Sequence, residues 1–96
     1  MLTHIVVWKY KEGTSDEIRE EHRNKLKDLP NVITEIESFK VGTDMLQLDR
    51  SYDTGLVAVF ADREALDAYT VHEDHQAVAK MGKEIAEHAV SVDFVD

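Results

Sequence analysis

Two short stretches of this 96-residue chain, Ile5-Val6-Val7-Trp8 and Leu56-Val57-Ala58-Val59-Phe60, are apolar at every position. A strand in an antiparallel sheet with one wet face alternates apolar and polar residues, because successive side chains point to opposite faces. Strands that do not alternate must be covered on both sides. Only two helical segments are legible, and short connections put both on the same side of the sheet. The other face needs a cover this chain does not contain. A second copy of the sheet is the simplest one, since homo-oligomers are most often two-fold dimers. The alternative is an exposed apolar patch of sheet size, which soluble monomers rarely carry.

The order of elements follows from local signals. His4 to Tyr10 reads as a strand ended by Glu12-Gly13. Thr14 with Glu17 three residues on is a capping-box pattern. Ile18, His22, Leu26 and Leu29 then make one narrow apolar stripe on a charged helix that Pro30 stops. On that stripe His22 reads as a half-buried packing residue. Ile36 to Val41 reads as a second strand closed by Gly42-Thr43-Asp44, and Asp53-Thr54-Gly55 turns into a third, Leu56 to Phe60. The segment Met45 to Tyr52 carries no clear signal. Asp62 caps a helix with Ala65, Leu66 and Tyr69 on one side; Thr70-Val71 weakens it, and Glu73-Asp74 restarts it. Val78, Met81 and Ile85 mark the inner face of that longer helix, expected to end near His88 and to gain from the histidine beside its dipole. Val90 to Phe94 alternates as a last strand. The predicted fold is α+β: a ferredoxin-like β-α-β-β-α-β subunit with a four-stranded antiparallel sheet, one domain over residues 1–96, pairing with a second copy.

Composition removes several function classes. There is no cysteine, so disulfides, thiolate nucleophiles and thiolate-ligated metals are excluded, and a reduced cytoplasm is the expected compartment. Twenty acidic against eleven basic residues give a net charge of −9, a field that repels a polyanion, so no nucleic-acid partner is expected. No signal peptide is read at the start, and no apolar run approaches the ~18 residues of a membrane span, so no membrane partner is expected either.

The chemistry concentrates in Tyr69-Thr70-Val71-His72-Glu73-Asp74-His75, which puts a phenol and two imidazoles at a helix junction. His4 opens the first strand. A neutral imidazole, with an ordinary pKa near ~6.5, can take a proton at neutral pH, and a phenol can donate to a developing oxyanion. Each group also has a structural reading: Tyr69 as a buried phenol with one partner, His4 as a core histidine, and His72 or His75 as hydrogen-bonding groups at the junction. His-x-x-His spacing can chelate, but no carboxylate or cysteine stands clearly in register, so neither metal nor cofactor is expected.

Taken in order, His4-Ile5-Val6-Val7-Trp8-Lys9, Gly42-Thr43-Asp44, Val57-Ala58-Val59-Phe60, the Tyr69 to His75 run and Val90 to Phe94 resemble the stress-responsive dimeric α+β barrel (Dabb) family over essentially the whole chain. The resemblance implies two ferredoxin-like subunits whose sheets face each other as a barrel. It also implies a site, by similarity to a plant polyketide cyclase of that family that works without a cofactor. On that similarity Tyr69, His75 and His4 are the catalytic positions and His72 matches a further histidine; His72 and Trp8 are the expected substrate contacts. Glu73 stands where that cyclase has a proline. The expected ligand is a small, mostly apolar carbonyl or aromatic compound. Two other readings stay open: a ligand-binding or stress-associated dimer without catalysis, and a cofactor-independent monooxygenase on a related barrel, toward which Trp8 points.

Overall fold

The computed structural model describes residues 1–96. Four strands, β1 (Leu2–Tyr10), β2 (Ile36–Thr43), β3 (Thr54–Phe60) and β4 (Ala86–Val95), form one sheet in the order β2-β3-β1-β4, with every neighbouring pair antiparallel. Helices α1 (Asp16–Asp28), α2 (Arg63–Val71) and α3 (Glu73–Ile85) lie on one side of it. This is the ferredoxin-like architecture expected, with the second helical segment broken in two.

The break has a local cause. His72 adopts an extended backbone (ψ 134) that ends α2 and starts α3, and its Nδ1 accepts from the Asp74 amide at 3.1 Å. Acidic Glu73 and Asp74 in the first turn of α3 complement its dipole. Several expected boundaries move. Gly42 and Thr43, expected to close β2, and Thr54 and Gly55, expected as a turn, pair with each other as the ends of β2 and β3. The cap of α1 is Ser15, whose hydroxyl accepts from the Ile18 amide at 3.2 Å, while Thr14 donates to the Lys11 carbonyl at 2.7 Å. The register of the capping box was therefore one residue early. At the other end α3 stops at Ile85, and His88, expected beside a helix terminus, lies in β4 opposite Lys9. The Lys11 amide donates to the Ile85 carbonyl at 2.9 Å, and from Ala86 onward the ladder to β1 replaces helical bonding. Met45 to Tyr52 is a loop pinned by Asp44, which accepts from the Gln47 amide at 2.7 Å while Gln47 takes a left-handed φ of +52°.

The two faces of the sheet are occupied differently. Toward the helices, Leu2, Trp8 and Tyr10 of β1 and Leu56, Ala58 and Phe60 of β3 pack with Leu26, Leu29, Ile33, Leu66, Tyr69 and Val78. On the reverse face the register puts Ile5 between Val57 and Val92, Thr3 between Val59 and Phe94, and Val7 opposite Val90. Nothing in the chain covers that side: Val57, Val92 and Phe94 remain 40%, 53% and 44% exposed. Phe60 is fully buried under the helices and Val59 only half-buried on the reverse face. No helix is long and apolar enough to cross a membrane.

His22 is not half-buried, as its stripe position suggested, but completely buried. Its Nδ1 bonds the Tyr10 hydroxyl at 2.8 Å, and that hydroxyl bonds Thr54 Oγ1 at 2.9 Å. Trp8 meets the imidazole edge-on at 5.0 Å between centroids. Gly82 explains how the rings fit: a β-carbon there would lie 3.1 Å from both His22 Nε2 and Trp8 Nε1.

Candidate functional site

A cavity of about 280 Å³ opens between the α2–α3 layer and the sheet. Its walls are mostly apolar, from Val6, Trp8, Leu26, Leu56, Val78 and Ala79. Two imidazoles and a phenol enter it from three elements: His4 from β1, Tyr69 from α2 and His75 from α3. The alternation of β1 turns His4 to the same face as Val6 and Trp8. Tyr69 shares the inner face of α2 with Leu66. The His72 break redirects the chain, so His75, six residues after Tyr69, comes back onto the same space. Tyr69 and His75 have ring centroids 4.2 Å apart at 41°, and Tyr69 and His4 are 6.0 Å apart edge-on. Phe60 and Phe39 wedge the phenol at 5.0 and 6.2 Å.

Hydrogen bonds fix which nitrogen of each imidazole is free. His75 Nδ1 lies 3.1 Å from the Thr70 carbonyl, which can only accept, so Nδ1 carries the proton and Nε2 keeps its lone pair. His4 Nδ1 donates to the carboxylate of Asp93, which β4 presents directly across from it. Both Nε2 atoms are without a protein partner. Tyr69, too, has no hydrogen bond within the chain. His22 Nε2 is the one sealed side-chain polar atom left unpaired, so the Tyr69 hydroxyl retains access to the cavity.

Electrostatics separates the roles. Burial lowers the His75 pKa below its ordinary value; the Thr70 hydrogen bond opposes that, and nearby His4 and His72 add to it. The imidazole is therefore neutral at pH 7, as a base must be. Burial pushes the Tyr69 phenol well above its ordinary range, so it stays protonated and donates.

Four of the five residues expected at the site line this cavity: His4, Trp8, Tyr69 and His75. His72 does not; its side chain is spent capping α3. Asp93 was missed. Its signal was available, since Val90, Val92 and Phe94 alternate toward one face, leaving Ser91 and Asp93 on the other. A carboxylate there needs a partner. No cluster of three or more histidine and carboxylate groups is arranged to hold a metal. A larger cleft of about 480 Å³ lies among Arg19, Arg23, Asp44 and Asp53, but its walls are mainly charged and polar, with Tyr10 and Leu48 the two hydrophobic residues among them.

A ferredoxin-like α+β subunit with one bare sheet face and an apolar, histidine-lined cavity under its helices defines the class. The chain belongs to the stress-responsive A/B barrel (Dabb) family, whose profile matches residues 2–96. Among solved structures it is similar to a dimeric ferredoxin-like protein of unknown function from Thermobifida fusca, with 24% identity and a TM-score of 0.90 over 99% of this chain and 90% of that one. It is similar to the hydroxynitrile lyase from Passiflora edulis, with 20% identity and a TM-score of 0.89 over 99% and 92% of the two chains. An antibiotic biosynthesis monooxygenase shares 14% identity and a TM-score of 0.79 over 100% and 98%. At these identities the likeness is one of fold. No curated protein sequence matches the chain significantly.

Proposed function

We propose that this protein is a homodimeric, cofactor-independent acid–base catalyst acting on small, mostly apolar carbonyl compounds. The observation that carries the reading is the pair of imidazoles, each anchored through Nδ1, flanking an unpaired phenol around one apolar cavity. His75 Nε2 removes a proton from the carbon beside the carbonyl. The C–H electron pair becomes the enolate, and the Tyr69 hydroxyl donates to the oxygen where its charge collects. His4, held by Asp93, orients the substrate oxygen or returns a proton. The enolate then adds to an electrophilic carbon, as in an aldol closure, or is reprotonated. A hydroxynitrile lyase has a similar fold, so this architecture can carry an enzyme.

The test needs no knowledge of the natural substrate. Deuterium exchange at the α-carbon of 2-heptanone, followed by NMR in heavy water at neutral pH, is expected to run faster with the protein than in buffer. In His75→Asn it should return to the buffer rate, with the circular dichroism spectrum and subunit mass unchanged. Exchange at the buffer rate with the unsubstituted protein would remove the catalytic reading and leave a binding cavity.

The dimer rests on the uncovered reverse face, where Ile5, Val7, Val57, Val59, Val90, Val92 and Phe94 form one apolar surface. Relatives described as dimeric support it. Sedimentation equilibrium at micromolar concentration is expected to give twice the chain mass, and Val57→Glu, which places a charge in the middle of that surface, is expected to give the monomer. A monomeric unsubstituted protein would overturn the pairing.

A further inference from the structure

We propose that Lys83 makes the cavity selective for carbonyl compounds that carry a carboxylate at the end remote from the reacting carbon. The inference rests on the acid–base reading of the cavity and names its substrate class more closely. Four residues of α3 line the cavity, His75, Val78, Ala79 and Lys83, and their spacing is that of one helix face. His75 stands at one end of this row and Lys83 at the other. Eight residues at 1.5 Å each separate their α-carbons by about 12 Å along the axis. Helical side chains lean toward the N-terminus, so the lysine stem leans back over the apolar middle and shortens that span.

The charge itself is unusual in its setting. Apart from the two histidines, Lys83 is the only ionisable cation lining the cavity, and no carboxylate lines it. No acidic side chain pairs with it: the ion pairs of the protein engage Arg19, Lys25, Arg63 and three histidines. In a chain of net charge −9, an unpaired ammonium beside an apolar pocket is a local reversal of the field an anion would otherwise meet. The dipole of α3 favours a cation anywhere in its last turn, but it does not choose the face over the cavity. The reacting carbonyl therefore sits at His4, Tyr69 and His75, the apolar body against Val6, Leu56 and Val78, and the carboxylate at Lys83.

A matched pair of ligands tests this: 7-oxooctanoate and its neutral amide, 7-oxooctanamide. Binding at neutral pH and low salt is read from the indole N–H resonance of Trp8, the one tryptophan in the chain and a lining residue of the cavity. Lys83 is exposed at the cavity rim, so the acid is expected to bind about fivefold tighter than the amide, the upper end for one exposed ion pair. Lys83→Met should lower the acid to the affinity of the amide and leave the amide unchanged; Lys83→Arg should keep the preference. Added salt should erode it in the unsubstituted protein. Equal binding of the two ligands, or a preference that survives Lys83→Met, overturns the role of Lys83 and leaves the acid–base reading standing. If neither ligand moves the Trp8 signal at millimolar concentration, both fall together.

Discussion

Phe60→Ala is expected to lower the free energy of unfolding by about 3–5 kcal/mol. The residue is completely buried, under the helices on the central strand β3, and its ring packs 5.0 Å from Tyr69 and 6.4 Å from His4 between centroids. Truncation loses the transfer free energy of the ring and leaves a hole beside groups that the surrounding sheet holds in place. A domain of this size has about 5–15 kcal/mol in all, so the variant sits near the folding threshold. Val59→Ala, one residue earlier, removes a side chain from the reverse face. Its cost should fall mainly on dimer affinity and appear as a concentration-dependent midpoint. Urea unfolding at two protein concentrations distinguishes the two. A loss below about 1 kcal/mol for Phe60→Ala would mean that β3 does not present this residue to the helices.

Acidification from pH 6.5 to 4 is expected to remove on the order of 3 kcal/mol of stability through His22 alone. Burial, with a smaller contribution from Arg23, lowers the pKa of this imidazole to about 4. In the unfolded chain it titrates near its ordinary value of 6.5. Between those values the unfolded state binds a proton that the folded state refuses. The stability His22 contributes is thus complete above 6.5, declines as pH falls through the window, and is gone below about 4. The local reason is visible: Nδ1 is committed to Tyr10, and Nε2 is sealed without a partner. The cation's second N–H, on Nε2, would be buried with no acceptor in the protein. His75, also lowered by burial, acts in the same direction. Chemical denaturation at a series of pH values should show the loss, and His22→Gln, which cannot titrate, should flatten it by roughly this amount. An unchanged slope in that variant would mean that His22 is protonated in the fold without penalty.

Most of the fold was legible because its signals are local. The paired apolar strands, the Asp62 cap, the Pro30 stop and the alternation of β4 each act over a few residues. The errors are local too, in that neighbouring residues compete for the same role. Thr14 and Ser15 can both cap, and only the extended backbone of Ser15 with its bond to Ile18 decides it. The end of α3 was overextended because Ala86, Glu87 and His88 suit a helix as well as a strand. Pairing with β1 tipped them. His22 followed its stripe inward, but the stripe gives no depth, and the polar knot with Tyr10 and Thr54 joins residues far apart in sequence.

For the site, the sequence alone determined the residue types and their order: an imidazole on the first strand, then a phenol and a second imidazole across a helix break. It also determined that one sheet face lies bare, since period-two patterning is a property of the chain itself. Only the tertiary structure decided that Asp93, 89 residues from His4, is the carboxylate behind it. It also decided that each histidine offers Nε2, that the Tyr69 hydroxyl is left unpaired at the cavity, and that Lys83 lies over the far end. The register of β4 against β1 and the seating of α3 on the sheet set those relations. Each is the outcome of many weak contacts summed across the molecule, and no short stretch of sequence contains that sum.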